Sequence, residues 1–419
     1  MNVLLVNKFY YIKGGSETYL FALKEQLEAE GHHVVPFSMD DSKNEKTKYS
    51  EYFVENVDYN NMSFFKKIKS ASNIIYSFES KRNIKRLLDD ENIDISHLHL
   101  FQHQISPSIL FPLKQKRIPV VYTVHDLKVM CPNYKMMTNN TVCEQCKDGK
   151  FYNAMKNKCV KNSLSASSIS MLEAYFHKFM KIYDSYIDYF ITPSEYYKQK
   201  MIEWGYPPGK ITHIPNFVHI DKYQPYYGND GYFLYLGRLS EEKGIMTLLK
   251  SLAYTKTQVK LVIAGTGPLS ESIKEYISDH DLEDRVKLLG FVSGTQLQTT
   301  IQRSKCVVMP SEWYENGPLS LIESFAYGKP VIGSNIGGIP EHIDPNVNGL
   351  VFESKNAQEL ADKIDYMNSL SDAEINRFGT HARKKAETEY SHEVHFKQLK
   401  KIYDYLLAKK YNSTTETIK

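Results

Sequence analysis

The stretch S-E-W-Y-E-N-G-P-L-S-L-I-E-S-F-A-Y-G-K-P-V-I-G-S-N-I-G-G-I-P-E, Ser311 to Glu341, reads as a loop, a helix, a short strand and a second glycine-rich turn. The run before it, Cys306 to Met309 (C-V-V-M), is apolar throughout and ended by Pro310, the pattern of a buried strand. Pro318 suits the first turn of a helix, where a missing N–H costs nothing, and Leu319 to Tyr327 continues the helical pattern. Gly328 fits the position just past the helix, Pro330 stops its continuation, and Val331 to Gly333 reads as the next buried strand.

The chemistry of this stretch sits where the helix begins. Unpaired N–H groups at a helix start attract anions, a dipole effect of about 0.3–1 kcal/mol per charge. Glu315, Asn316 and Gly317 lead into that start, and Glu323 lies within the helix under the stripe of Leu319, Leu321, Ile322 and Phe325. A single Glu there would be ordinary first-turn charge complementarity. Two carboxylates with seven residues between them, a Gly-Pro start and the later G-G-I-P-E make a longer and more specific pattern.

This E-x7-E segment resembles that of retaining glycosyltransferases, and as a whole is similar to glycosyltransferase family 4. The resemblance implies that Glu315 meets the transferred sugar and that the backbone of Asn316, Gly317, Pro318 and Leu319 cradles the donor diphosphate. It also implies that Glu323 holds the ribose hydroxyls. Its fold would be α/β, of the GT-B type, with two Rossmann-like domains facing a central cleft.

Length and composition bound the rest. The chain has 419 residues, enough for two full-sized domains. Hydrophobic residues at 42% and charged residues at 24% are ordinary for a globular protein, and a net charge of +3 gives no argument for nucleic acid. No run approaches the ~20 apolar residues of a membrane span. M-N-V-L-L-V-N-K is too short for a signal peptide and reads as a first strand, so the cytoplasm is the expected location.

Strand Val3–Val6, a glycine loop, a helix from about Glu17 to Glu30 and strand His33–Phe37 open a Rossmann-like unit without G-x-G-x-x-G. Its Gly14, Gly15, Ser16 and Glu17 resemble the family's N-terminal glycine loop, where Gly15 and Ser16 would approach the donor phosphates. From Met62 to Leu88 the chain is apolar and basic, with Ile74, Ile75, Phe78, Ile84, Leu87 and Leu88 at helical spacing toward a core. The basic residues suit a solvated face, or else an interfacial helix meeting anionic lipid at the inner face of a membrane. Two strands, around Ile93 to Leu100 and P-V-V-Y-T-V-H-D, deliver His125 and Asp126 to a sheet edge where ligands bind. By the resemblance His125 lies beside the transferred sugar and Asp126 on the acceptor side.

Cys131, Cys143, Cys146 and Cys159, spaced C-x11-C-x2-C-x12-C, hold four of the five cysteines. In a reducing compartment this suggests a structural zinc knuckle, with an iron–sulfur cluster, disulfides or free thiols as alternatives. Cys306 reads as a core residue. Ser163 to Tyr186 reads as helical and Tyr189 to Thr192 as the last strand of the first half.

Tyr232 to Leu236 starts a second unit. Its loop G-R-L-S-E-E-K-G sets Arg238 and Lys243 beside the next helix, two cations suited to a diphosphate leaving group. Gly265 ends the following strand in G-T-G-P-L, and Phe291 and Val292 after strand Val286–Phe291 are candidate backbone partners of the base. A helix from His395 to Leu407 would return to the first domain, and the polar end from Tyr411 would be disordered. The expected domains are therefore 1–212 for the acceptor, with the Cys insert at about 131–162, and 213–393 for the nucleotide sugar; 394–419 holds the returning helix and tail.

The reaction implied is transfer of a hexosyl unit, with retention, from a UDP- or GDP-linked sugar to a glycan or polyprenyl-linked acceptor. Extracellular or capsular polysaccharide synthesis is the implied setting, peripheral membrane contact is allowed for, and catalysis would use no cofactor. A nucleotide-sugar epimerase and a non-catalytic sugar-binding module are the other readings.

Overall fold

The structure is a computed structural model, and it describes residues 1–56 and 73–416. Two sheets of six parallel strands organise it. The first takes β1 (Asn2–Val6), β2 (His33–Phe37), β3 (Ile95–Leu98), β4 (Val120–Thr123), β7 (Tyr189–Thr192) and β8 (Ile211–His213) in the order β2-β1-β3-β4-β7-β8. A hairpin of β5 (Met137–Thr138) and β6 (Thr141–Val142) stands apart from it. The second sheet runs β11-β10-β9-β12-β13-β14, built from β9 (Tyr232–Leu236), β10 (Lys260–Ala264), β11 (Val286–Gly290), β12 (Cys306–Met309), β13 (Val331–Ser334) and β14 (Gly349–Phe352).

Parallel strands covered on both faces read as unbroken apolar runs, and C-V-V-M shows why. Cys306 and Val308 enter the core on one side of the second sheet, and Val307 and Met309 enter the core on the other. Tyr189–Thr192 is not the last strand of the first sheet. Ile211–His213 pairs beyond it, with Ile191 opposite Thr212.

Helix α1 (Gly15–Ala29) follows β1, and α2 (Phe78–Asp90) buries Ile84, Leu87 and Leu88 on the first core. Phe78 does not join them. It opens the helix behind the cap of Ser77 and is 76% exposed, while Ile74 and Ile75 are half-buried. The basic start of that segment, up to residue 72, lies outside the described residues.

The expected long helix breaks at Lys181, in left-handed conformation, into α3 (Leu164–Phe179) and a short turn Ile182–Tyr186. Helices α4 (Glu195–Glu203), α5 (Leu319–Ala326) and α6 (Asp372–Glu389) precede α7 (His392–Glu416). Helix α7 packs Phe396, Leu399, Ile402, Tyr403 and Leu406 into the first core, each worth roughly 1.5–3 kcal/mol of burial. The polar end is helical through Glu416 rather than disordered. Once the packed turns pay for nucleation, adding further residues is easy.

Candidate active site

Both sheets reverse their strand order beside the strand that starts them, between β1 and β3 and between β9 and β12. Loops leaving the carboxyl ends of two such strands diverge and open a crevice. In the second sheet, β9 delivers Arg238 and Lys243 to it and β12 delivers Ser311 to Asn316. In the first, β1 delivers the loop to Gly15, and β3 and β4 deliver His99, His125 and Asp126.

Glu315 is buried, and its Oε1 accepts from Lys243 Nζ at 2.6 Å and from Ser311 Oγ at 2.7 Å. Lys243 also lies 5.1 Å over the Trp313 ring. Arg238 is exposed at the end of β9, and among the described residues no carboxylate pairs with it. Helix α5 begins at Pro318 without a side-chain cap, so its first amides remain available to an outside anion. The glycine loop faces this start: a Cβ added at Gly15 would lie 3.8 Å from Leu319 Cδ1, with Ser16 next to it donating to Glu17.

Glu323 accepts from Tyr223 Oη at 3.1 Å, and burial pushes its carboxyl up to about 7. Gly265 sits where β10 turns past β9, so close that a Cβ would fall 1.8 Å from Gly237 O. Val292 is buried, and the Phe291 side chain is 76% exposed.

His125 is hydrogen-bonded to His99 at 3.0 Å, and burial holds it down at about 3, so it is neutral. Asp126 accepts from the Lys128 backbone, and its carboxyl is raised by burial against the pull of Lys8.

The Asn316 side chain reaches the first half. Its amide donates to Val124 O and accepts from Ser194 Oγ at 3.0 Å, tying the β12 loop to the first sheet. Asn216 donates to Gly317 O at 2.7 Å, and the Glu341 carboxylate accepts the Glu195 and Tyr196 N–H groups at 2.8 and 2.5 Å. Thus a carboxylate of the second half caps α4 of the first half. Sequence reading missed these ties, and also the buried pair Lys128–Glu173 at 2.8 Å with His103 beside it. Only the G-G-I-P-E turn had flagged one of them, Glu341.

The four insert cysteines line one small cavity, and all are free thiols. Burial and the other three thiols push Cys146 up to about 12. As placed, no group of three or more His, Cys, Asp or Glu among the described residues is arranged to hold a metal.

Residues 13–222 match the model "Glycosyltransferase Family 4", and residues 220–385 match "Glycosyl transferases group 1". The chain belongs to glycosyltransferase family 4. It is 30% identical to the amylovoran biosynthesis glycosyltransferase AmsK of Erwinia amylovora over 230 residues, 51% of this chain and 55% of AmsK. An uncharacterized glycosyltransferase of Methanocaldococcus jannaschii is 24% identical over 408 residues, covering 97% of this chain and 99% of its own. In fold the chain is similar to a sucrose-phosphate synthase from Thermosynechococcus elongatus, with a TM-score of 0.73 at 20% identity, covering 97% of this chain and 99% of that one. It is also similar to Anabaena HepE in complex with UDP and glucose, at 0.69 and 16%, covering 97% and 100%. This family 4 chain therefore has the GT-B fold, two Rossmann-like domains across a cleft.

Proposed function

We propose that this family 4 chain transfers a hexosyl unit, with retention, from a nucleotide diphosphate sugar to a glycan or lipid-linked acceptor in polysaccharide synthesis. One observation carries the reading: the Lys243–Glu315 pair stands beside the uncapped start of α5 and opposite the Gly15 loop. A diphosphate seated there is met by two cations and by helix amides. Their attraction grows as the sugar–phosphate bond breaks and negative charge builds on the leaving oxygen, which lowers the barrier. The diphosphate leaves as an anion, so no acid need protonate it. With the leaving group on the donor's own face, same-face attack by the acceptor gives retention.

Glu315 meets the sugar hydroxyls and Glu323 the ribose, while neutral His125 lies on the acceptor side. Two relatives support the setting by name: AmsK in amylovoran biosynthesis, and a putative colanic acid biosynthesis glycosyltransferase at 24% identity over 226 residues. The UDP bound to HepE supports a UDP-linked donor. Helix α3 supports membrane contact, because it buries Ser167, Ser170, Glu173 and His177 and exposes Leu172, Tyr175 and Phe179. No helix among the described residues is long and apolar enough to cross a membrane.

A panel of UDP- and GDP-sugars tests the reading, with thermal shift and donor hydrolysis read together. One donor is expected to stabilise the protein selectively, and Arg238→Ala is expected to remove that effect. Glu315→Ala is expected to cut transfer by about 10²-fold or more while leaving the fold intact. Unchanged turnover in that variant overturns the assignment.

A further inference from the structure

The segment from Cys131 to Cys159 has too little apolar material to hold itself. Its own core is Cys146, Phe151 and Ala154, while Cys131 and Met136 join the first core. Between Tyr134 and Asn162, eight non-glycine residues take left-handed backbone: Tyr134, Met136, Asn139, Asn140, Asp148, Lys158, Lys161 and Asn162. Tyr134, Met136, Lys158 and Lys161, being neither Asn nor Asp, are strained there, and a strained, loop-rich unit of this size gains from a staple. The four thiols, spread from Cys131 to Cys159, line a single small cavity.

We propose that Cys131, Cys143, Cys146 and Cys159 bind one tetrahedral zinc ion as thiolates, and that this ion holds the insert as a clamp across the cleft. As they are placed, the side chains do not yet surround a metal position. Binding requires the four sulfur atoms to draw together around one ion. On binding, four S–H groups release their protons to solvent, four Zn–S bonds form, and no electron is transferred.

The clamp follows from what the insert touches. Glu144, between Cys143 and Cys146, accepts from Tyr314 Oη at 3.1 Å and pairs with Lys200 at 3.0 Å. Lys135 pairs with Glu242 at 2.9 Å, and Asn140 O accepts from Lys355 Nζ. Tyr314 precedes Glu315 and Glu242 precedes Lys243, so the insert grips a chain neighbour of each member of that ion pair. The metal claim stands by itself; the clamp rests on the proposed function.

Elemental analysis of the full chain, purified under reducing conditions without chelator, tests the metal. One zinc per chain is expected, released when the thiols are titrated with an organomercurial. The cobalt-substituted protein is expected to show thiolate-to-cobalt charge transfer and tetrahedral visible bands. Cys143→Ser and Cys146→Ser are expected to hold less than about a tenth of an equivalent. Metal-free protein with four reactive thiols, a mass lowered by two disulfides, or the visible absorption of an iron–sulfur cluster each overturns the site. If the serine variants are insoluble, the wild-type stoichiometry and cobalt spectrum decide alone.

Lys135→Ala combined with Glu144→Ala is expected to keep the zinc and lose donor affinity by about tenfold or more. Unchanged affinity in that variant overturns the clamp while leaving the metal and the donor site intact. Failure of the wild type to bind any donor would instead count against the proposed function.

Discussion

Glu315 and Glu323 carry the same carboxyl group under opposite conditions. Glu315 has a cation and a hydroxyl within 2.7 Å, whereas among the described residues the only donor to Glu323 is Tyr223 Oη, and burial pushes its carboxyl up to about 7. A carboxyl raised above its unfolded value of 4.5 contributes stability that is present below that value and is lost as pH rises through about 7. Glu323→Gln removes that loss. Urea denaturation should find the variant close to wild type at pH 5 and more stable at pH 8, by about 1–3 kcal/mol. The same gain at both pH values would show that the ionised carboxylate is not the cause. A second reason for measuring it is functional: a carboxylate left short of donors in the free protein is ready to accept from ribose hydroxyls.

The elements that place these residues were legible to different degrees, for physical reasons. β9 and β12 were legible to the residue because both of their faces are buried, and α5 to within one residue because Pro318 and Gly328 punctuate it. Glu315 and Lys243 form one ion pair, and Gly15 lies against Leu319 of α5. β8 was missed because I-T-H carries no apolar run; its pairing is decided by β7 alongside it. Asn316 sits inside a motif, and nothing local says that its amide reaches Val124 O in the other half. Lys128 and Glu173 are 45 residues apart, so no spacing could pair them.

Turn geometry gives a sharper test at this scale. Gly244 ends the G-R-x4-K-G loop with φ 66°, and a Cβ there would fall 1.8 Å from Pro310 O. Gly31, with φ 77°, has nothing within 4 Å. Gly31→Ala should cost only the left-handed backbone penalty, about 1 kcal/mol. Gly244→Ala must also push β9 and β12 loops apart, and should cost at least about 3 kcal/mol and weaken donor binding through Lys243. Chemical denaturation of the two variants side by side checks the difference, and equal losses would mean that the loops yield freely.

At the scale of the whole molecule, a column of neutral imidazoles joins the last helix to the cleft. Tyr403 of α7 is hydrogen-bonded to His97 at 2.7 Å, and His97 stacks on His99, which meets His125 at the sheet edge. From the same helix His395 reaches Tyr19 of α1 at 2.9 Å. Burial lowers all four histidines below their usual value of 6.5. It does the same, as the largest cause, to His32, His103, His177, His213 and His342. A depressed folded value means stability that is present above 6.5 and lost as pH falls, because the unfolded chain then binds more protons. Four raised carboxyls, on Glu17, Asp126, Glu323 and Glu341, act in the opposite direction. Nine groups against four leave the histidines dominant between about pH 4 and 6.5, each contributing up to about 1.4 kcal/mol per pH unit. Urea stability should therefore fall steeply from pH 6.5 to 5, accompanied by net proton uptake on unfolding. His97→Asn should flatten that slope even if it lowers stability at every pH, since the slope counts protons and not contacts. A wild-type stability that is level across this range would mean that the column is already protonated in the folded protein, and that α7 is held by its apolar face alone.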